Sequence, residues 1–374
     1  MNSTNSIWEE ESIFCKNDFL IIGGGLAGLW CAYELQLKYP KARILIVERS
    51  LLSTGASTRN AGFACFGSPT EMIYDASVMG EDKMWKTVEM RYKGITKIRK
   101  LFGDAVIDYD PCGGYECLRD GQAAQVQEKL AWLNKGMQTI TGKEKSFTWC
   151  NEKASLFGLM GFDKLIENEM EGGLHSGKLV MALQQLLQSK GVILIRGMEV
   201  QTVERNNDHY RVRTSFSQAF TTTNLLYCTN AFTSQLLPAL NITPARGQVV
   251  VTTPIKGLKL RGTFHYDEGF YYFRNIGDRV LLGGARNKSF ETEHTTEFAL
   301  TPTIQNELIR FLSEHILPGK NFTISHQWSG IMGFTGNKEP VIEMIDENAC
   351  AVVACNGMGV ALTPVIAEEV AAMF

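Results

Sequence analysis

Residues 19–28 read Phe-Leu-Ile-Ile-Gly-Gly-Gly-Leu-Ala-Gly, and this short passage sets the architecture of the chain. Phe19 to Ile22 is an apolar run with the length of a buried strand. Three glycines follow at once, and from Leu29 to Tyr39 the pattern is that of an amphipathic helix, stopped by Pro40. A second apolar run, Ile44 to Val47, is closed by Glu48. Strand, glycine turn, helix, strand, acid is the order of a dinucleotide-binding unit, and each part has a physical reason. Gly23 permits the tight turn, Gly25 lets a diphosphate approach main chain where a Cβ would stand, and Gly28 brings helix and strand close. The helix N-terminus offers free N–H groups and a positive dipole end to the phosphates. Glu48 stands about twenty residues past the last glycine, where a carboxylate grips ribose hydroxyls and repels the 2′-phosphate of NADP.

Two further segments distinguish a flavin from a nicotinamide. Thr54 to Gly62 follows the acidic strand and is rich in small and polar residues, which let backbone reach a flat ring or a diphosphate, and Arg59 adds positive charge. Taken alone it also reads as a polar loop. Near the other end, Ala351 to Ala354 reads as a strand, Asn356-Gly357-Met358-Gly359 as an elbow, and Val360 to Met373 as a helix. A helix N-terminus there would favour the negative charge that builds at flavin N1 and the C2 carbonyl on reduction. The alternative is a packing helix after a glycine turn.

Composition narrows the class. The chain has 374 residues, 44% of them hydrophobic, and a net charge of -3, which suits two domains or one with a large insertion. No basic stripe is present, so nucleic acid is not an expected partner. Nine scattered cysteines read as reduced thiols of a cytoplasmic protein, and Cys112 and Cys117 have no companions to complete a metal site. Met1 to Glu11 is polar and acidic, unlike a signal peptide, and no apolar run reaches membrane-spanning length, so no transmembrane segment is expected. Lys83 to Phe102 and Ala123 to Thr141 read as helices, Thr263 to Gly284 as a β-hairpin, Gly172 to Gly191 as a turn and helix, and Val192 to Ile195 as a returning strand. No repeat or flexible linker separates these elements, so the domains are expected to interleave.

Together these pieces resemble the FAD-dependent D-amino-acid oxidase and glycine oxidase family (the DAO family), from Phe19 to the end. The likeness rests on the opening unit with Glu48, on Gly55 to Phe63, Gly172 to Leu183, Ala245 to Val250, Tyr271 to Arg286, Trp328 to Glu343 and Asn356 to Pro364, all in family order. It implies an α/β fold: a Rossmann-like FAD domain built from residues 1–79, 172–236 and 327–374, interleaved with an α+β, mixed-sheet substrate domain of residues 80–171 and 237–326. It implies cofactor contacts from Gly23, Gly25, Leu26, Ala27 and Gly28, then from Glu48 and Arg49. Further contacts are implied from Ala56, Ser57, Arg59, Asn60, Ala61 and Gly62, from Val200 and Gly330, and from Gly357, Met358, Gly359 and Val360.

The activity implied is oxidation of the C–N bond of an amine or amino acid by hydride transfer to flavin N5, followed by hydrolysis of the imine. The electron acceptor is oxygen, or in the alternative a quinone or carrier protein. An NAD-dependent dehydrogenase is a further alternative, but no second dinucleotide fingerprint exists: Gly283-Gly284 leads into a polar loop. Arg274 is the expected substrate residue, because an arginine at the matching place binds the substrate carboxylate in D-amino-acid oxidases and a guanidinium fork fits two carboxylate oxygens. A pairing with Asp278 is the alternative. Of Tyr271 and Tyr272 only one can face the pocket, since strand side chains alternate, and Tyr272 is taken as the site residue. Met332 stands where glycine oxidases carry an arginine, which puts glycine and other small amino acids in doubt as substrates and leaves a larger amine, a γ-glutamyl polyamine or an unusual amino acid open. No cysteine lies near Thr335, where sarcosine oxidases attach flavin covalently, so FAD is expected to be non-covalent. His175 reads as structural. His265 precedes the Tyr271 strand and has access to the pocket, with no further signal for a role.

Overall fold

The computed structural model describes residues 5–216, 219–353 and 355–374. Two eight-stranded sheets organise them. The first has Asn17–Ile22 at its centre, paired in parallel with Ile44–Glu48 on one side and Ala219–Tyr227 on the other. Ile193–Arg196 and Ala349–Val353 extend it in parallel, and Val341–Asp346, His209–Thr214 and Val200–Asn206 add antiparallel pairs. The alternation of side chains explains why the central strands are apolar throughout: Phe19, Ile21, Ile44 and Ile46 enter one core cluster, while Leu20, Ile22, Leu45 and Val47 enter the cluster on the opposite face. Helix Leu26–Lys38 ends with Tyr39 out of helical conformation, one residue before Pro40. It packs with the C-terminal helix Gly359–Met373, and Lys38 donates to the Ala371 carbonyl at 2.8 Å. Ala354, the expected end of the last strand, lies outside the described residues.

The second sheet runs in the order Ile324–Phe334, Thr243–Thr252, Arg279–Gly284, Tyr271–Ile276, Thr263–Tyr266, Gly114–Leu118, Lys164–Asn168 and Thr148–Trp149. It is mixed: only Thr263–Tyr266 with Gly114–Leu118 is parallel. The chain passes from first sheet to second, back, out again and back, four crossings in all. Two of the crossing segments, Phe63–Ala64 and Gly172–Gly173, pair with each other as a small antiparallel ribbon.

Two expected boundaries shift. The break at residue 327 falls inside strand Ile324–Phe334, which pairs with Thr243–Thr252 along its length and belongs to the second sheet. Helix Glu81–Phe102, expected in the substrate domain, lies against the C-terminal helix of the first: a Cβ on Gly94 would stand 1.8 Å from the Ala361 carbonyl oxygen. The segment Thr263 to Gly284, expected as a hairpin, contains three strands. Asp267 and Glu268 turn the chain at φ +56° and +53°, ahead of the turn at Gly277 and Asp278.

Candidate active site

A cavity of about 610 Å³ runs between the two sheets. At one end the glycine turn is built as the spacing requires. Gly23 adopts φ +112°, and a Cβ on it would lie 2.4 Å from the Cys228 carbonyl oxygen. A Cβ on Gly25 would meet Ser57 Oγ at 2.9 Å, and that hydroxyl accepts from the Leu26 N–H. Glu48 lines the cavity while it braces the turn: its two oxygens accept from the Gly24 and Ser50 N–H groups at 2.8 and 2.9 Å. A carboxylate has about four acceptor positions, so the brace leaves capacity for ribose hydroxyls.

The second elbow lines the same cavity. Asn356 and Gly357 turn at φ +48° and +86°, and Met358, Gly359 and Val360 bring the N-terminus of the fifteen-residue C-terminal helix to the wall. Asn356 Oδ1 accepts from the Thr335 N–H at 2.9 Å and ties the elbow to the end of the long strand. Between the elbows lie Ala27, Arg49, Ala56, Ala61, Val200 and Gly330. Arg49 lies 3.6 Å over the Phe232 ring, and Arg59 donates to the Ser329 carbonyl at 2.7 Å. Asn60, also on the wall, closes its loop by donating to the Ala56 and Ser57 carbonyls and accepting from the Gly62 N–H. Two cradles in which a Cβ would collide, two helix N-termini and an acid on one cavity are what FAD requires at its diphosphate, ribose and ring.

Three expected contacts lie elsewhere. Gly28 is behind the turn, where a Cβ would come within 2.0 Å of the Gly23 carbonyl; it serves the close packing and does not line the cavity. Gly62 faces away at φ +72°, toward the Leu174 carbonyl. Arg274 is the larger correction. It is 7% exposed, lies flat on Gly173, and donates to the carbonyls of Gly62 and Leu174 at 2.5 and 3.1 Å. It is absent from the cavity wall, and it does not pair with Asp278 among the described residues. Alternation puts it on the same sheet face as Tyr272, but two positions along that face is covered by the crossing ribbon, so the guanidinium clamps main chain.

The far end of the cavity is made by Tyr272, His265, Arg286, Met332, Phe63 and Phe334. Tyr271 points to the other face, stacked on Phe311 and donating to Glu307. The Tyr272 ring lies across Gly283, where a Cβ would approach it to 2.3 Å, and burial pushes its phenol up to about 12, against the nearby charge of Arg286. Burial in turn lowers the Arg286 guanidinium. Its side chain sits 4.6 Å over the Phe334 ring, and no ion pair to it forms among the described residues: Glu293, whose charge it feels, is bonded to Arg246 at 2.8 Å. His265 packs edge-on to Phe63 at 5.1 Å and is driven down to about 4, chiefly by burial. Arg286 is a site residue that the sequence patterns miss, and His265 is one they place near the pocket without a role. Strand register sets His265 beside Tyr272, and the left-handed turn at Ala285, just past the strand Arg279–Gly284, brings Arg286 to the wall. His175 caps helix Ser176–Ser189 by accepting from the Lys178 N–H.

The chain matches the family described as FAD dependent oxidoreductase (DAO) over residues 18–373. It is 24% identical over 360 residues to a protein named "Probable oxidoreductase OrdL" from Rhizobium meliloti (strain 1021), covering 93% of this chain and 80% of that one. Among solved structures, L-proline dehydrogenase from P. horikoshii superposes with a TM-score of 0.77 at 18% identity, over 95% of this chain and 92% of the other. Glycine oxidase from Bacillus cereus ATCC 14579 does so with a TM-score of 0.73 at 18% identity, over 95% and 94%. With the glycine cradles and both elbows on one cavity, the match over nearly the whole length shows that this chain belongs to the DAO family of FAD-dependent oxidoreductases.

Proposed function

We propose that this protein oxidises the C–N bond of an amine that carries a carboxylate and a side group larger than hydrogen. The observation that supports this most directly is Arg286: a half-buried guanidinium on the cavity wall beside Tyr272, with no acid bonded to it among the described residues. A desolvated, unpaired cation is a site for an anion, and its planar fork matches a carboxylate. Met332 places an apolar thioether beside Gly247, where a glycine oxidase has an arginine, and leaves room for a substrate side group. That the similar structures include a proline dehydrogenase and a glycine oxidase supports the same chemistry.

FAD, when bound, supplies the acceptor for a hydride leaving the substrate α-carbon. The protein's part is placement. Arg286 and the Tyr272 hydroxyl hold the carboxylate, the rings of Phe63 and Phe334 exclude water, and neutral His265 offers an acceptor to the amino group. The cofactor is held without a covalent bond. Cys65, Cys228 and Cys355 reach the cavity, but burial raises the thiols of Cys65 and Cys355, the latter to about 12, and a hydrogen bond with Cys31 together with burial raises Cys228. Such thiols are poor nucleophiles. Nine free cysteines support a cytoplasmic location; no helix among the described residues is long and apolar enough to cross a membrane.

The test is anaerobic titration of the FAD-loaded protein with amines that do and do not carry a carboxylate. Carboxylate-bearing amines are expected to bleach the flavin. Arg286→Ala should raise their half-saturating concentration about 10- to 100-fold, the worth of a charged hydrogen bond, with little change for simple amines. Bleaching by hydroxy compounds and by no amine would overturn the reading. Peroxide release measured beside dye reduction identifies oxygen, or a quinone or carrier, as the acceptor.

A further inference from the structure

Behind the cavity, one row of side chains crosses the second sheet. Tyr272 is the register partner of His265 in the antiparallel pair, and His265 is the partner of Glu116 in the parallel pair. Register partners project from the same face at the strand spacing of roughly 4.8 Å. Tyr272 and His265 line the large cavity. His265 also lines a second cavity of about 10 Å³, whose walls include Glu116, Glu171 and Asn168. That is room for one water. His265 is only 7% exposed, and among the described residues neither of its ring nitrogens has a hydrogen-bond partner; the same is true of Asn168 Nδ2. Orphaned polar atoms on the walls of a water-sized space mark a bridging water.

We propose that His265, a water in the small cavity and Glu116 form a relay that draws the substrate's ammonium proton out of the active cavity. The relay rests on the reading of the large cavity as an amine-oxidising site. The N–H bond of the ammonium breaks, and an N–H bond forms on the imidazole nitrogen facing the substrate. The opposite ring nitrogen gives its proton to the water, and the water gives one to the Glu116 carboxylate. The ring ends neutral in its other tautomer, the water is restored, Glu116 becomes a carboxylic acid, and the amine keeps the lone pair that assists departure of the hydride. No electrons change hands in these steps.

The groups suit their places. Burial, with a smaller push from Arg91, drives the imidazole down to about 4, so it passes a proton readily and does not store it. Glu116 is pushed up to about 7 by burial, against the donors Ser68 and Thr70 that favour its anion. A peptide α-amino group titrates near 8, and a free carboxylate beside it holds the ammonium proton more tightly, so transfer to Glu116 is uphill and is drawn forward as the hydride leaves. The other titratable groups around the ring are Tyr272 on the adjacent strand, Arg91 on helix Glu81–Phe102, and Glu171 across the small cavity, itself raised to about 8 by burial.

The deciding experiment is stopped-flow flavin reduction, without oxygen, as a function of pH for the FAD-loaded wild type, His265→Asn and Glu116→Gln. At about pH 7 His265→Asn should slow reduction roughly 100-fold or more, the usual worth of a general base. Near pH 10, where the free amine has lost its proton unaided, the rate should return to within several-fold of wild type. Glu116→Gln should follow the same profile with a smaller loss. A deficit constant across pH, or none at neutral pH, overturns the relay. A wild-type flavin that no amine reduces sinks the amine-oxidising reading, and the relay with it. A high-resolution crystal structure supplies a readout independent of turnover: an ordered water bonded to both His265 and Glu116 is expected, and a dry cavity overturns the relay whatever the substrate.

Discussion

Arg274 and Arg286 show what a single residue's surroundings decide. Both follow an apolar strand segment, and both are desolvated. Arg274 spends its donors on the Gly62 and Leu174 carbonyls, in two crossing segments of the chain, whereas among the described residues Arg286 spends none on an acid. The places of Gly23, Gly25 and Glu48 on the cavity wall were legible because the local order of strand, turn, helix and strand sets them, although the contacts of Gly23 with Cys228 and of Gly25 with Ser57 were not. The two arginines were not, because their roles depend on what covers the strand. Arg274→Ala should therefore destabilise the holoprotein by about 2 kcal/mol, the loss of charged hydrogen bonds to main chain, seen as a lower thermal midpoint. It should leave the preference for carboxylate-bearing amines over simple amines unchanged. A collapse of that preference in Arg274→Ala would return the substrate role to it.

Among the elements, the C-terminal helix and helix Glu81–Phe102 packed against it carry the most consequence for the cavity. Helix Glu81–Phe102 presses Gly94 against the Ala361 carbonyl, in the first turn of the helix whose N-terminus reaches the cavity. A methyl group there has no space, and overpacking of this kind costs about 1–3 kcal/mol. Gly94→Ala is expected to lower the thermal midpoint and to speed FAD release, followed by the gain of flavin fluorescence; a variant that retains FAD like the wild type would show that the helix end does not support the ring. The pattern of apolar residues located this helix to within two residues of its start, since periodicity reports existence and type well. It did not show that Gly94 marks a crossing, nor that Asp267 and Glu268 adopt positive φ and split the expected hairpin.

Over the whole molecule, two buried acids lower stability as pH rises, and they outweigh buried His265, lowered to about 4, which acts in the opposite sense below its ordinary value of 6.5. Glu116 is raised from its ordinary 4.5 to about 7 and Glu171 to about 8. The folded chain thus holds protons that the unfolded chain has lost between about pH 4.5 and these values. Stability from these groups is full below that window and declines as pH rises through it. Thermal midpoints should fall from about pH 5 to pH 8, and Glu116→Gln should reduce the fall by about 3 kcal/mol, the worth of its shift; parallel pH curves for variant and wild type would count against a buried protonated Glu116. At this scale the sequence showed that the domains interleave, because no linker separates the motifs. It did not show where the long strand Ile324–Phe334 belongs, since one strand's pattern does not name its partner.

The four crossings limit how the enzyme opens. A domain swings when one or two flexible joints absorb the rotation. Here the backbone is stitched across the seam four times, and Arg274 pins two of the stitches together. A plate joined at so many points does not gape like a clam. Traffic of reactant and product is expected to pass by small local displacements, for which the Glu268–Phe270 corner on the cavity wall offers one place, while the two walls keep their alignment.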